Sequence, residues 1–210
     1  MAKVFLLSPA SCSGRRAVQL LSPRASFELA RRLRDGGSAP LGEVFQFLSG
    51  LYFRGKLTYA RAFARPPADT GSGVLVITAG SGLREADTPI TARALRAFAN
   101  VDIDAANVKY RRPLERSAAA LADEIGNETG VVLLGSIASG KYVDVLLDIF
   151  GERLLFPASF VGRGDMSRGG LLLRASAAGE ELEYVPVAGA TRRGARPPKL
   201  DPRGRVPKSG

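Results

Sequence analysis

The sequence predicts an α/β fold, a single domain with a mixed sheet, helices on its faces and a C-terminal β-hairpin. Three short apolar runs without alternation, Val4–Leu7, Val74–Ile77 and Val131–Leu134, are typical of strands covered on both faces. Helical patterns lie between these runs, and further strand-like segments cluster late in the chain. A chain of 210 residues, 45% hydrophobic and 24% charged, fits one globular domain.

The apolar spacing and the capping residues place the remaining elements. Helices are predicted from Ser22, as N-cap before Pro23, to Arg34, and over Lys56–Ala64, Thr91–Ala99, Pro113–Ile125 and Ser139–Phe150. Late strands are predicted over Arg153–Phe160, Leu171–Ala175 and Leu182–Val187. Ala178–Glu180 between the last two has the composition of a hairpin turn.

The positive charge is concentrated at the end of the chain. The net charge is +10, and residues 191–210 hold seven basic residues against one aspartate. We divide the chain into an α/β domain, 1–190, and a loosely ordered basic tail, 191–210. Such tails bind nucleic acid through phosphates, although a solubility tail or coverage of an acidic face is an alternative. The tail residues that would make these contacts are Arg192, Arg193, Arg196, Lys199, Arg203, Arg205 and Lys208.

Composition excludes several classes of site. The chain has no histidine, which rules out Ser-His-Asp and Cys-His catalysis and histidine-ligated zinc. Its single cysteine allows no intramolecular disulfide. No apolar run approaches about 18 residues, so no transmembrane helix is expected. We expect a cytoplasmic protein without membrane contact, metal or cofactor.

The segment Ser8–Arg16 directly follows the first predicted strand, where ligands bind in open α/β sheets. Its small residues allow backbone N–H groups to approach an anion, and the candidate contacts are Ser8, Ser11, Ser13 and Arg15. Cys12 is a candidate nucleophile if the arginines lower its thiol pKa. The alternative is a small, half-buried cysteine in a tight loop.

Two other segments follow strands. Thr78–Arg84 offers Gly80 and Ser81 for close backbone approach, or is an ordinary turn. Gly135–Tyr142 leads into a helix whose N-terminus attracts anions, with Ser139, Lys141 and Tyr142 as candidates. Capping alone also explains Ser139.

Two segments combine arginine with aromatic or acidic residues. In Leu48–Lys56, Tyr52 and Arg54 are candidates for stacking on a base and holding its phosphate, unless the aromatics are core anchors. Gly162–Gly170 is expected to be a long loop between strands. Its candidates are Arg163, Ser167 and Arg168 for phosphate and Asp165 as a general base. The alternative is a solvated Arg–Asp loop.

Five short blocks occur in the order found in the YaaA peroxide-stress family, which the chain resembles. Leu7–Ala10 resembles that family's Ser-Pro-Ala start, and Arg163–Arg168 resembles its Arg-Gly-x-Met-Ser-Arg block. The other blocks are Leu51–Arg54, Ala79–Arg84 with Asp87–Pro89 after it, and Ile137–Tyr142. Lys141 departs from the family, which has an acidic residue there. Ser11–Arg16 also resembles uncharacterised bacterial domains with a Ser-Cys-Ser-x-Lys start.

The resemblance implies a single α/β fold, DNA binding and protection against peroxide damage, with no settled enzymatic activity. Our first hypothesis is therefore a cytoplasmic DNA-binding stress protein, with DNA rather than RNA as the partner. The alternative is an enzyme of transferase or glycosidic-bond hydrolase type, acting on a nucleobase or nucleotide. Its pocket would be built from the strand-end loops, with Asp165, Lys141 or Cys12 doing the chemistry. A third hypothesis, a scaffold with a basic tail, predicts that these loops do not converge.

Overall fold

The computed structural model describes residues 1–34, 36–191, 194–195, 197–198 and 200. Its strands are β1 (Lys3–Leu7), β2 (Ala39–Pro40), β3 (Val74–Thr78), β4 (Gly82–Glu85), β5 (Pro89–Ile90), β6 (Gly130–Leu134), β7 (Leu154–Pro157) and β8 (Tyr184–Pro186). Its helices are α1 (Arg15–Leu20), α2 (Glu28–Arg34), α3 (Leu41–Ser49), α4 (Leu51–Phe63), α5 (Ala92–Ala99), α6 (Val108–Ile125), α7 (Gly140–Phe150) and α8 (Asp165–Ala178). Short 3-10 turns lie at Gly151–Arg153 and Ala158–Phe160.

A six-stranded mixed sheet with the order β4-β3-β1-β6-β7-β8 forms the centre of the domain. Strand β1 pairs in parallel with β3 and β6, so that Phe5 lies opposite Val74 on one side and Val132 on the other. Strand β7 continues the parallel set, and β4 and β8 pair antiparallel at the two edges. Helices pack on the faces of this sheet. The predicted α/β class, and the three predicted strands of its core, are confirmed.

Local side-chain hydrogen bonds influence where three of the helices begin. Helix α5 begins as predicted, because the Thr91 hydroxyl accepts a hydrogen bond from the Ala94 N–H at 3.2 Å. Helix α6 begins five residues before the predicted Pro113, because Asn107 caps it through the Lys109 N–H at 3.1 Å. Helix α2 begins later than predicted. The Ser22 hydroxyl accepts from the Arg24 N–H at 3.3 Å, which closes a local turn instead of a helix.

The C-terminal part corrects two expectations. The antiparallel strand pair is confirmed as β7 and β8, but the whole of α8 lies between the two strands. Leu171–Ala175 is therefore helical and not a strand. Its buried residues, Leu172 and Ala175, are three positions apart and share one side of α8. Gly179, with φ of 70°, is the left-handed residue that ends α8 and not part of a hairpin turn.

Helices α4 and α8 cross at a pair of glycines. A Cβ at Gly55 would lie 2.7 Å from the Gly169 carbonyl oxygen, and a Cβ at Gly169 would lie 2.9 Å from the Leu51 carbonyl oxygen. The predicted loop Gly162–Gly170 is thus mostly the first turns of α8, held against α4 by backbone contact. None of the helices described is long and apolar enough to cross a membrane.

Candidate functional site

The segments that follow β1 and β6 enclose a cleft at the carboxyl ends of the parallel strands. It consists of two adjoining cavities of about 490 Å³ each, which share Pro9, Ala10, Ser11, Ile103 and Lys141. We call the two together the strand-end cleft. The start of α8 closes the inner cavity and the chain after α5 closes the outer one. Ligands bind at this position in open α/β sheets.

A buried amine lies behind the lining of the inner cavity and contacts that lining through Ser8. Lys56 on α4 is 1% exposed, and its Nζ lies 2.6 Å from the Ser8 carbonyl oxygen and 2.8 Å from Ser8 Oγ. The amine also lies 4.5 Å from the ring centre of Tyr52 and 4.9 Å from that of Phe53. Burial lowers the pKa of Lys56 from 10.5 to about 7, with a smaller raising effect of Asp165 and a lowering effect of Arg168. Burial therefore favours the neutral amine.

Two tyrosine hydroxyls lie in the same cavity. Tyr142 accepts a hydrogen bond from the Ser136 N–H at 3.1 Å, and its hydroxyl lies beside Ser8. The Tyr52 hydroxyl is buried without a hydrogen-bond partner of normal geometry, although the Arg168 guanidinium is near enough to lower its pKa. Burial is the larger effect and raises the pKa of both tyrosines, so both stay protonated donors.

Gly135, at the end of β6, brings these groups together. A Cβ at this position would lie 2.9 Å from Ser8 Cβ and 3.0 Å from the Tyr142 hydroxyl oxygen. Only glycine allows the two side chains to approach the β6 backbone this closely. The packing of β1 beside β6 therefore fixes the position of Ser8 over Lys56.

The outer cavity has a different character. Phe45 and Phe98 form an apolar wall, and the exposed carboxylates of Asp102 and Asp104 lie at its edge. Lys141 is exposed at the first turn of α7. It lines both the outer cavity, with its carboxylates, and the inner cavity. The cleft thus has a cationic and hydroxyl-rich part next to α7, and an apolar part bordered by carboxylates.

Cys12 lines the outer cavity but is not activated. Burial raises the pKa of its thiol to about 12, and its Sγ lies 3.6 Å from the Ala10 carbonyl oxygen. From the sequence, Cys12 is expected to be a nucleophile only on the condition that nearby arginines lower the pKa of its thiol. The shift is in the opposite direction, which favours the alternative of a half-buried cysteine in a tight loop.

The α8 candidates divide into two groups. Asp165 lines the inner cavity, where its carboxylate lies 3.7 Å from the Arg168 guanidinium. Arg168 is engaged within the protein, because its Nε and Nη2 donate to the Phe160 carbonyl at 3.3 and 3.1 Å. Arg163 and Ser167 lie in a separate groove, with Arg163 donating to the Ser159 carbonyl and to Ser167 Oγ.

The structure thus brings together most, but not all, of the residues predicted for a site. Those lining the cleft are Ser8, Ser11, Cys12, Ser13, Tyr52, Ser139, Lys141, Tyr142 and Asp165. Those outside it are Arg15, Arg54, Gly80, Ser81, Arg163 and Ser167. Arg168 lies behind Tyr52 and not on the lining. The seven predicted tail contacts, Arg192, Arg193, Arg196, Lys199, Arg203, Arg205 and Lys208, lie outside the described residues.

Sequence reasoning missed Lys56 as a site residue. A lysine is normally exposed, and this one stands next to Arg54 and Gly55 in the chain. The signal that could have found it is helical spacing, because Tyr52 and Phe53 precede Lys56 by four and three positions. That spacing places the lysine on the apolar face of α4. Asp102 and Asp104 were also missed, since they follow a helix and not a strand.

Comparison with known proteins finds no family model, no curated protein and no solved structure that matches the chain.

Proposed function

We propose that the protein is an enzyme acting on a nucleotide or nucleobase bound in the strand-end cleft. The observation that carries the proposal is the convergence of segments from β1, β6, α4 and α8 on one polar cleft. Its inner cavity is lined by Ser8, which is bonded to the buried Lys56 amine, and by Tyr52, whose buried hydroxyl has no hydrogen-bond partner of normal geometry among the described residues. A buried amine and an incompletely bonded buried hydroxyl are both costly in a fold, so their position beside a cleft supports a role toward a ligand.

The phosphate of a nucleotide fits the part of the cleft next to α7. The Asp144 carboxylate already lies against Gly140 at the first turn of α7, so side chains rather than the helix N-terminus would hold the phosphate. Lys141 supplies the cation, and the hydroxyls of Ser11 and Ser139 are available as donors.

The base and sugar fit the outer cavity. The rings of Phe45 and Phe98 offer an apolar wall to a planar heterocycle. Asp102 and Asp104 accept hydrogen bonds from ribose hydroxyls or from base N–H groups. A ligand with an anionic end and a hydroxyl-rich or amine-rich end therefore matches the two parts of the cleft.

The test measures binding of nucleoside monophosphates, nucleosides, free bases and inorganic phosphate by calorimetry. We expect nucleotides to bind more tightly than nucleosides in the wild-type protein. Lys141→Glu is expected to weaken nucleotide binding at least about tenfold and to leave nucleoside binding nearly unchanged. The double variant Asp102→Asn with Asp104→Asn is expected to weaken the binding of both nucleotides and nucleosides.

Arg93→Glu is the matched charge control, because Arg93 is exposed on α5 and does not line the cleft. Absence of binding by every compound in the panel contradicts the proposal. An equal effect of Lys141→Glu and Arg93→Glu also contradicts it, since that result would assign the effect to overall charge.

A second candidate function, the DNA binding implied by the YaaA resemblance, is supported by a basic stripe. Lys109, Arg112 and Arg116 are exposed at i, i+3 and i+7 on α6 and share one face of this helix. Such a stripe can follow a phosphate backbone together with the basic tail. Arg163 and Arg168 contribute less than the sequence predicted, because their guanidinium groups are bound within the protein.

The DNA proposal is tested by titrating labelled duplex DNA with the full chain at several salt concentrations. Reversal of all three stripe charges to glutamate should make the plot of log affinity against log salt shallower. The slope is expected to fall by up to about 0.9 for each phosphate that the protein no longer neutralises. An unchanged slope would remove the stripe from this function. Lys141→Glu, in the cleft, serves here as the matched control.

A further inference from the structure

We propose that Ser8 Oγ is a nucleophile toward a carboxylic ester carried by the ligand in the strand-end cleft, with Lys56 Nζ as its general base. The inference rests on the proposed function for where the ligand enters. It adds the reacting atoms and the type of bond that is broken. Ser-Lys pairs perform acyl transfer without histidine, which this chain lacks.

In the resting geometry Lys56 Nζ donates to both the Ser8 carbonyl and Ser8 Oγ. Once the amine is neutral it has a lone pair, and rotation of the Ser8 hydroxyl lets Nζ accept the Oγ proton while it still donates to the carbonyl. The two measured distances, 2.6 and 2.8 Å, place both Ser8 oxygens within hydrogen-bond reach of Nζ. Burial at 1% exposure removes the water that would otherwise favour the ammonium form.

The charged and titratable groups around the pair belong to three helices. Asp165 and Arg168 of α8 act on Lys56 with opposite signs, and Tyr52 of α4 lies under its amine. Tyr142 of α7 lies beside the Ser8 hydroxyl. Within this set no carboxylate contacts Nζ, so none of these groups holds the lysine permanently protonated. The pKa of Lys56, lowered to about 7, agrees with a base that works at neutral pH.

The reaction then proceeds in two balanced steps. Ser8 Oγ forms a bond to the carbonyl carbon as its proton passes to Lys56 Nζ, and the carbonyl electrons move to oxygen. Collapse breaks the ester bond, and the departing alkoxide takes the proton from Lys56, which leaves an acyl-Ser8. Water attacks this acyl group while Lys56 accepts its proton, and Ser8 Oγ recovers that proton when the acid leaves.

The Tyr52 hydroxyl has a role in this scheme. Tyr52 lines the cavity that contains Ser8, and its hydroxyl is a protonated donor without a hydrogen-bond partner of normal geometry among the described residues. The Arg168 guanidinium lies close enough to lower the pKa of this hydroxyl. In the proposed reaction the hydroxyl turns to donate to the oxyanion that develops on the carbonyl oxygen.

The experiment uses a fluorophosphonate probe on the full chain, with peptide mass spectrometry to locate the adduct. We expect an adduct on Ser8, formed with loss of fluoride, and none in Ser8→Ala. The labelling rate should rise with pH with a midpoint near 7, following the deprotonation of Lys56. Lys56→Met should slow labelling by roughly 100-fold or more. Ser176→Ala, on α8 and outside the cleft, should label on Ser8 like the wild-type protein.

Lack of an adduct on Ser8 overturns the inference, as does an equal labelling rate in Lys56→Met. If Lys56→Met does not fold, the pH profile of the wild-type protein decides, because a profile without a rise around neutral pH overturns the assigned base. Nucleotide binding without labelling of Ser8 refutes the nucleophile and leaves the proposed function standing. Labelling of Ser8 that no nucleotide slows supports the pair and refutes the nucleotide as its ligand.

Discussion

Helix α4 contributes to two polar clusters, one buried at its start and one half-buried toward its end, and they differ in how fully their groups are bonded. Toward the end of α4, the Tyr59 hydroxyl lies 2.6 Å from that of Tyr184 and accepts from the Leu182 N–H at 2.7 Å. Tyr184 donates to Glu181 at 2.8 Å, and Glu181 is paired with Lys3 at 2.6 Å. Each of these side chains has a hydrogen-bond or ion-pair partner.

The cluster at the start of α4 is incomplete by comparison. Lys56 is bonded only to Ser8 among the described residues, and the Tyr52 hydroxyl has no partner of normal geometry there. A saturated network stabilises and orients its surroundings, as the Tyr59 cluster does by tying β8 to α4. A network that lacks hydrogen-bond partners and lies beside a cleft can still form hydrogen bonds to a ligand. The comparison therefore separates a structural use of buried polar residues from a functional use within one helix.

The largest expected effect is on the pH dependence of stability and tests the incomplete cluster. The pKa of Lys56 in the folded protein, about 7, lies below its unfolded value of about 10.4. The unfolded state then binds more protons between these two pKa values, so the free energy of unfolding rises with pH across this window. We expect a slope of up to about 1.4 kcal/mol per pH unit, which Lys56→Met should remove.

Denaturant unfolding at several pH values within this window measures the slope. Cys12→Ala is the background for both proteins, because the raised pKa of Cys12 produces an opposite slope at the upper end of the window. Identical slopes with and without Lys56 would show that the lysine is not desolvated in solution.

The crossing of α4 and α8 allows a second test with two adjacent glycines. Gly169→Ala places a methyl group 2.9 Å from the Leu51 carbonyl oxygen and should destabilise the protein by about 1–3 kcal/mol. Among the described residues, a Cβ at Gly170 would meet only a Leu200 methyl at 3.5 Å, so Gly170→Ala should stabilise α8 by about 0.5–1 kcal/mol. Thermal unfolding of both variants checks the signs. Equal shifts would mean that the two helices do not cross at this point.

The saturated cluster is tested by Tyr59→Phe. Removal of this hydroxyl leaves the Leu182 N–H without its acceptor and Tyr184 without a donor, at a cost of about 1–2 kcal/mol. Chemical unfolding of the variant measures the loss. A change in the free energy of unfolding below about 0.5 kcal/mol would show that water replaces the hydroxyl. The Tyr59 cluster would then not have the structural role assigned to it.

The parts of the fold and site that the sequence predicted are those governed by local rules. Unbroken apolar runs predicted β1, β3 and β6. The rule that ligands bind where parallel strands end led to the alternative hypothesis that the strand-end loops share a pocket, and the structure brings the segments after β1 and β6 together. The strand predicted over Leu171–Ala175 was wrong, because three consecutive leucines fit a strand as well as a helix. No local signal distinguishes a strand from a helix in this segment. The close contact of Gly169 with α4, which depends on the tertiary structure, accompanies the helix.

The charged residues were predicted least well, because their environments depend on distant backbone. Arg168 was expected to hold phosphate, but its acceptor is the Phe160 carbonyl, a group that every residue has and no sequence pattern marks. Lys56 is expected on the surface until Ser8, 48 positions earlier, is known to lie beside it. Composition shows that charge is present, and only the packing shows which charges face a ligand.

The smallest expected effect completes the comparison within α4. Tyr52→Phe removes a hydroxyl that has no partner of normal geometry, so the free energy of unfolding should change by less than about 0.5 kcal/mol or rise slightly. Tyr59→Phe, the same substitution seven residues later, should lower it, which makes the two variants matched controls. Phosphonate labelling of Ser8 should nevertheless slow in Tyr52→Phe, because the adduct loses a donor to its oxygen. A stability loss equal to that of Tyr59→Phe would mean that the Tyr52 hydroxyl is bonded within the fold and unavailable to a ligand.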